Sequence, residues 1–124
     1  MIQLVPFQNF FDIKPLTESH VDLFSAEICD VLHTMDIPRD SVTKVRLMTE
    51  GIMLDWIENG LADIPCELRL DKRYNRKMLM LSVSGENKTN ASLENSYKDM
   101  FKGLNLKVET YYAAEKNICN ILIP

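Results

Sequence analysis

The sequence lacks the features that mark membrane-spanning, disulfide-rich and zinc-binding proteins. None of its 124 residues lies in an apolar run that approaches the roughly 20 residues of a transmembrane helix. The three cysteines, Cys29, Cys66 and Cys119, are odd in number and far apart, and no CxxC pair occurs. These spacings disfavour a zinc site and a disulfide framework. We therefore expect free, buried thiols in a reducing compartment.

An excess of positive charge and a signal peptide are also missing. Lys and Arg number 14 against 18 Asp and Glu, which gives a net charge of −4. This balance offers no electrostatic reason to expect a nucleic acid or an anionic membrane as partner. Residues 1–7 contain neither the basic region nor the long apolar region of a signal peptide. We expect a cytoplasmic protein with no nucleic-acid partner.

What is present is the composition of one globular domain. Hydrophobic residues make up 46% of the chain and charged residues 26%, both ordinary fractions for such a domain. No internal repeat or low-complexity segment occurs. Residues 1–124 are therefore predicted to form a single domain. The apolar final segment, residues 121–124, has no polar tail, and this indicates a domain cut from a longer chain.

Apolar residues recur at helical spacing in two segments, at about 17–35 and about 41–59. Thr17 can cap the first helix, and Asp40 or Ser41 can cap the second, because their side-chain oxygens can accept from the first free backbone N–H groups. The two segments follow each other closely. The sequence therefore predicts a pair of adjacent helices.

The second helix is apolar on two sides and carries an acid, Glu50, near its middle. Leu47 and Leu54 project from nearly the opposite side to an apolar stripe, and Asn59-Gly60 marks the end of the helix. Its stripe consists of Val45, Met48, Ile52 and Trp56. Two apolar sides predict that this helix packs on two layers. An acid within it costs free energy unless it faces water, a partner or a ligand.

Five other segments have the length and apolar content of strands: residues 8–13, 66–71, 77–84, 106–112 and 117–123. The second of them alternates apolar and polar residues, and the third is more continuously apolar. A polar loop over residues 85–92 and a short helix near 93–103 separate the third strand from the fourth. The last two strands form a hairpin around residues 115–117. The whole predicts an α+β fold, a two-layer sandwich with helices on one face of a mixed, mostly antiparallel sheet.

This order of elements, with the segment Val45–Glu50 leading into Asn59-Gly60, resembles the ATP-binding domain of the histidine-kinase-like ATPases. In that family a helix carries an acid and, four residues later, an asparagine that helps to hold magnesium. Residues four apart lie on one helix face, so the two side chains can reach the same phosphate group. The resemblance makes Glu50 the candidate catalytic acid. It implies ATP and magnesium as cofactors and, in an active member, an ATPase or protein kinase.

The asparagine of the first motif is missing. The position four residues after Glu50 is Leu54, which cannot coordinate magnesium because that ion demands oxygen ligands. Asp55 is polar and is the remaining candidate for a cofactor contact on this helix, but it is rotated by about 100° from Leu54. The alternative for Glu50 is an ion pair with Arg46, one turn earlier.

The adenine-reading aspartate of the second motif is missing as well. The family places it just before a glycine that follows the second hairpin strand. Here Gly85 follows Ser84, and only Ser82 or Ser84 could accept a hydrogen bond from the base. Asn87 and Asn90 in the polar loop are further candidates for ligand contacts. The cofactor-binding set is therefore Asp55, Ser84, Gly85, Asn87 and Asn90, with no metal ligands assigned.

Two missing motif residues disfavour ATP and magnesium as cofactors and favour a non-catalytic relative of the family. The chain is also similar to degenerate domains of this fold attached to bacterial membrane transporters of the dicarboxylate-symporter type. That similarity implies a regulatory or oligomerisation role, with a protein partner or a second copy and an attached transporter. The alternative is a functional ATP-binding domain of a histidine-kinase-like or anti-sigma-factor-like protein.

Overall fold

The computed structural model describes residues 10–73, 76–88 and 106–123. Within these ranges a strand, two helices and four strands follow in order. Their bounds are β1 Phe10–Pro15, α1 Glu18–Thr34, α2 Arg39–Trp56, β2 Pro65–Arg73, β3 Arg76–Ser84, β4 Lys107–Ala113 and β5 Lys116–Ile123. The predicted helix near residues 93–103 lies outside the described residues.

The five strands form one sheet in the order β1-β2-β3-β5-β4, and all four pairings are antiparallel. Leu68, Leu81 and Cys119 lie opposite one another on β2, β3 and β5 and have no exposed surface. Successive residues on a strand point to opposite faces, so one face of the sheet is covered. Phe11, on the other face, is 52% exposed. The predicted α+β two-layer sandwich is therefore confirmed.

Both helices bury one stripe against the covered face. Thr17 caps α1, as predicted, by accepting from the His20 backbone N–H at 3.1 Å. The stripe predicted for α2 is buried throughout: Val45, Met48, Ile52 and Trp56. The cap predicted for α2 at Asp40 or Ser41 is wrong, because the helix begins earlier, after Pro38, without a side-chain cap bond.

The prediction that α2 packs on two layers is also wrong. Leu47 is 37% exposed and Leu54 is 44% exposed. The described residues contain a single helical layer, so the side of α2 that faces away from the sheet meets solvent. The α-helix ends at Trp56, three residues before the predicted end at Asn59, and a wide, π-type turn, Ile57–Leu61, follows it. Gly60 has a φ of 97° in this turn, a conformation that favours glycine.

The hairpin that joins β4 and β5 turns one residue earlier than predicted. Ala113 pairs with Lys116, so the turn consists of Ala114 and Glu115 only. Both residues have positive φ values, 53° and 60°. This is the backbone of a type I′ turn, whose twist matches that of antiparallel strands and which usually holds Asn or Gly. Asn117, which the sequence places at the boundary between the turn and the last strand, lies in β5.

Candidate functional site

Glu50 lies at the contact between the two helices. Its Oε1 accepts a hydrogen bond from Ser25 Oγ at 2.5 Å and another from Arg46 Nη1 at 3.1 Å. Ser25 is a buried residue of α1, and Arg46 is one turn before Glu50 on α2. The ion pair with Arg46, left open by the sequence, is present. Glu50 therefore joins α1 to α2 through a charge-assisted hydrogen bond.

Asp55 lies in the last turn of α2 and is half-buried. Burial raises the pKa of its carboxyl group, and the nearby charge of Glu58 raises it further, while a hydrogen bond from Asn59 acts in the opposite direction. The buried Oδ2 has no hydrogen-bond partner. Leu54 beside it is exposed at the helix surface and does not fill a pocket. Asp55 is thus an acid that the described residues leave uncompensated.

The residues of α2 do not form a magnesium site of the expected kind. One oxygen of Glu50 is already bonded twice, and the position for the second ligand is occupied by Leu54, which has no oxygen. Across residues 10–73, 76–88 and 106–123, no group of three or more His, Cys, Asp or Glu side chains is placed to hold a metal ion. No step of a reaction can be assigned to a metal on these residues.

Ser84 and Gly85 line an open cleft of about 450 Å³ at the end of β3. Gly85 has a φ of 140°, and an added Cβ would lie 2.9 Å from Leu61 Cδ2. Only glycine adopts this backbone without strain so close to a neighbour. The lining consists of Ser84, Gly85, Glu86, Tyr112, Ala114 and Glu115. The structure thus brings two of the predicted cofactor-binding residues together.

Hydrogen bonds fix the walls of this cleft to each other. The Gly85 N–H donates to the Glu115 carbonyl oxygen at 3.1 Å, which ties the end of β3 to the β4–β5 turn. The Tyr112 hydroxyl donates to the Gly85 carbonyl oxygen at 2.7 Å. Residues with positive φ outside glycine are strained unless their surroundings hold them. These two bonds hold the cleft, including the strained turn, in place.

Asn117 organises the loop beside the cleft, and the sequence analysis missed it. Its side chain has no exposed surface. Its Oδ1 accepts from the Lys88 backbone N–H at 2.6 Å, and its Nδ2 donates to the Glu86 carbonyl oxygen at 2.7 Å. The sequence does contain an indication of this role, because Asn117 alternates with the apolar residues at 119, 121 and 123, which point to the same, inward face of β5. An amide on that face needs buried partners.

The remaining predicted site residues lie apart from one another. Asn87 is an exposed residue of the loop that Asn117 holds. Asn90 lies outside the described residues. Glu50 and Asp55 are on α2 and are not among the residues that line the cleft. The described structure therefore divides the candidates between α2 and the end of β3.

The electrostatics of the cleft do not suit a phosphate group. Among the described residues, its lining includes Glu86 and Glu115 and no basic residue. On the adjoining loop, Lys88 Nζ lies 3.6 Å from Glu86 Oε2. This exposed ion pair offsets the charge of Glu86 but not that of Glu115. Phosphate sites normally supply Lys, Arg or a cluster of free backbone N–H groups. The cleft can accept a neutral or cationic group more readily than a polyphosphate.

The cysteines are free, as predicted. Cys66 and Cys119 are buried, and burial raises the pKa of the Cys66 thiol to about 12. The pKa of Cys119 is raised for the same reason. Cys29 is half-buried, and desolvation raises its pKa as well. Because the thiolate is the reactive form, none of the three is prepared to act as a nucleophile.

Within the described ranges, neither helix combines the length and the apolar character needed to cross a bilayer. In comparisons with known proteins, the chain matches no protein-family profile and no curated protein. The resemblance to the histidine-kinase-like ATPases therefore stays a prediction from sequence pattern, alongside a fold that is established by the structure.

Proposed function

We propose that this chain is a non-catalytic regulatory domain of the cytoplasm, with the architecture of a histidine-kinase-like ATPase, which acts through contact with a protein partner. One observation carries the proposal. The acid that an ATPase of this kind would direct at its cofactor instead binds Ser25 and Arg46 within the helix pair. A carboxylate oxygen that already accepts two hydrogen bonds within the fold has little capacity left to bind a ligand. Glu50 thus has a structural role.

The missing ligands point the same way. Leu54 replaces the magnesium-binding asparagine, and Ser84 stands where an aspartate would read adenine. A site built around polar contacts typically loses orders of magnitude in discrimination when one contact is removed. Two such losses leave little basis for nucleotide turnover.

A melting experiment tests this proposal. We expect the melting temperature to stay unchanged with millimolar ATP or ADP and magnesium, and the same with inorganic tripolyphosphate and magnesium as the control. A ligand present at 100 times its dissociation constant would stabilise the fold by about 2.7 kcal/mol, which a melting curve detects readily. A shift with ATP that tripolyphosphate does not reproduce would overturn the proposal.

The second candidate is a nucleotide-binding domain. The volume of the cleft at the end of β3 favours it, whereas the acidic residues that line the cleft do not. The volume of about 450 Å³ lies in the usual range for small-molecule sites, roughly 300–1,000 Å³. If nucleotide binds there, Ser84→Arg should abolish the melting shift, because the exposed side chain at position 84 borders the cleft. The same shift in Ser84→Arg and in the wild type would place the nucleotide elsewhere.

A further inference from the structure

The side of α2 that faces away from the sheet presents two exposed leucines beside two acids. Leu47 and Leu54 are seven residues apart, about two helical turns, and therefore lie on one side of the helix. Glu58, in the π-type turn that directly follows α2, is four residues after Leu54, and Asp55 is next to Leu54 in the last turn of the helix. We call these four residues, Leu47, Leu54, Asp55 and Glu58, the α2 outer surface. It combines apolar area with negative charge.

Among the residues that the structure describes, no ion pair balances the negative charge of this surface. No Lys or Arg occurs between Arg46 and Arg69, whereas five acids do: Glu50, Asp55, Glu58, Asp63 and Glu67. Glu50 pairs with Arg46 and Glu67 with Lys116. Within the described ranges, Asp55 and Glu58 form no ion pair. The N-terminal half of α2 differs, since its Asp40 pairs with Lys44 at 3.2 Å.

The position of these acids in the helix makes the imbalance unfavourable. The C-terminal end of a helix carries partial negative charge and favours cations, yet the last turn of α2 has no basic residue and contains Asp55. Burial raises the pKa of the Asp55 carboxyl group, and the nearby charge of Glu58 raises it further. Local rules of this kind are most often broken where a site serves a function.

We propose that the α2 outer surface binds a cationic amphipathic segment of a partner protein. Apolar side chains of that segment would cover Leu47 and Leu54, and its Lys or Arg residues would pair with Asp55 and Glu58. The inference rests on the proposed function, a domain that acts through a protein partner. Beyond that function, the inference identifies the surface of this domain that contacts the partner and the type of side chains that the partner presents.

Charge complementarity selects this occupant over two others. In a symmetric dimer the same surface faces itself, which would bring Asp55 and Glu58 near the acids of the second copy. An anionic membrane would be repelled for the same reason. A segment with Lys or Arg beside apolar residues is attracted by both the acids and the helix end.

The β1 edge of the sheet offers a partner little to bind. The Ile13 N–H donates to the Asp12 side chain at 2.8 Å, and Pro15 has no N–H to offer. His20 Nδ1 donates to the Pro15 carbonyl oxygen at 2.7 Å. The Ile13 N–H and the Pro15 carbonyl oxygen are thus already bonded, and Pro15 has no N–H, so an added strand would find few free backbone groups here. This contrast favours α2 as the contact.

Fluorescence anisotropy with a labelled peptide tests the inference. The probe is an amphipathic helix-forming peptide of leucine and lysine, about 14 residues or four turns long. Its control has glutamate at every lysine position. We expect saturable binding of the lysine peptide, weakened by added salt, and no binding of the glutamate peptide. Leu54→Asp, and separately the pair Asp55→Asn with Glu58→Gln, should each weaken binding about tenfold or more.

The chain supplies matched controls on α1. Leu23 is 51% exposed, compared with 44% for Leu54, so Leu23→Asp changes an equally exposed leucine. Glu18→Gln with Asp22→Asn removes two exposed acids of that helix. We expect both control variants to bind as the wild type does. Equal loss in the α1 and α2 variants, or equal binding of both peptides, would overturn the inference.

Sedimentation without peptide decides between a partner and a second copy. We expect the wild type and Leu54→Asp to have the same oligomeric state. Self-association that Leu54→Asp abolishes would overturn the inference in favour of a homodimer. Failure of the peptide test is distinct from failure of the proposed function, because the latter is read from the melting shift with ATP. Surface substitutions of this kind leave the fold intact, which circular dichroism verifies.

Discussion

The α1–α2 contact and the β3–β5 end of the sheet both place polar side chains inside the fold, but they bond them in different ways. At the helix contact, Glu50 keeps 26% of its side chain exposed and binds other side chains. At the sheet end, Asn117 has no exposed surface and binds two backbone groups of a neighbouring loop. The first arrangement joins two helices that already pack, whereas the second defines where a loop runs.

The difference predicts unequal energetic weights. A partly exposed ion pair gains little, because water screens the charges and long side chains lose freedom. When a buried amide side chain is removed, the groups that it bonded are left unsatisfied, at a cost of about 1–3 kcal/mol for each group. Asn117, which is neutral, should therefore stabilise the fold more than Glu50, which is charged. Three substitutions, in order of expected effect, test this ranking.

The largest effect is expected for Asn117→Ala. The change removes the acceptor of the Lys88 N–H and the donor to the Glu86 carbonyl oxygen. We expect unfolding free energy to fall by about 3 kcal/mol, since two inward-facing backbone groups lose their partner. Urea denaturation followed by tryptophan fluorescence measures this, because Trp56 is the one tryptophan and is buried.

Asn120→Ala is the matched control on the same strand. Within the described residues, the Asn120 Nδ2 donates to the Tyr111 hydroxyl at 3.3 Å, and its buried Oδ1 has no partner. Its removal should cost less than about 1 kcal/mol, as one long hydrogen bond is lost and one unsatisfied group disappears. Equal losses for the two variants would contradict the role assigned to Asn117.

The same two regions differ in how far the sequence predicts them. The Arg46–Glu50 pair follows from helical spacing, which depends only on residues of one element. Asn117 depends on the register between β3 and β5 and on the turn lying at Ala114–Glu115. Neither of those two residues is glycine or asparagine, so the sequence at the turn contains none of the residues that usually indicate a type I′ turn. The sequence therefore leaves Asn117 at the boundary between the predicted turn and the last strand.

The fold class was predictable because alternation and helical periodicity each cover whole segments. The number of layers around α2 was not, since Leu47 and Leu54 show only that a side is apolar. Whether another element covers that side is a property of the assembled domain. Two residues of the cleft, Ser84 and Gly85, were identified by their resemblance to the second motif of the ATPase family, whereas Tyr112 and the β4–β5 turn come from a distant segment.

An intermediate effect is expected for Gly85→Ala, which tests how tightly the sheet end is held. The new Cβ meets Leu61 Cδ2 at 2.9 Å, in a backbone with a φ of 140°. We expect a loss of about 2 kcal/mol from strain and contact together. Gly60→Ala is the control, because that position also has a positive φ but no atom within 4 Å of the added Cβ. A loss at Gly60 as large as that at Gly85 would show that the contact with Leu61 is unimportant.

The smallest effect is expected for Glu50→Gln, and here the direction of change matters more than its size. If Glu50 serves only to join the helices, the substitution removes an ion pair and weakens the hydrogen bond from Ser25, with a loss of about 0.5–1 kcal/mol. A functional acid held for a ligand commonly reduces stability, so its replacement would increase the unfolding free energy. Combining Glu50→Gln with Ser25→Ala in a double-mutant cycle isolates the contact between the helices, which should show favourable coupling. A gain in stability on Glu50→Gln would reverse the comparison between the two regions, since it would make the helix contact the strained site and the sheet end the structural one.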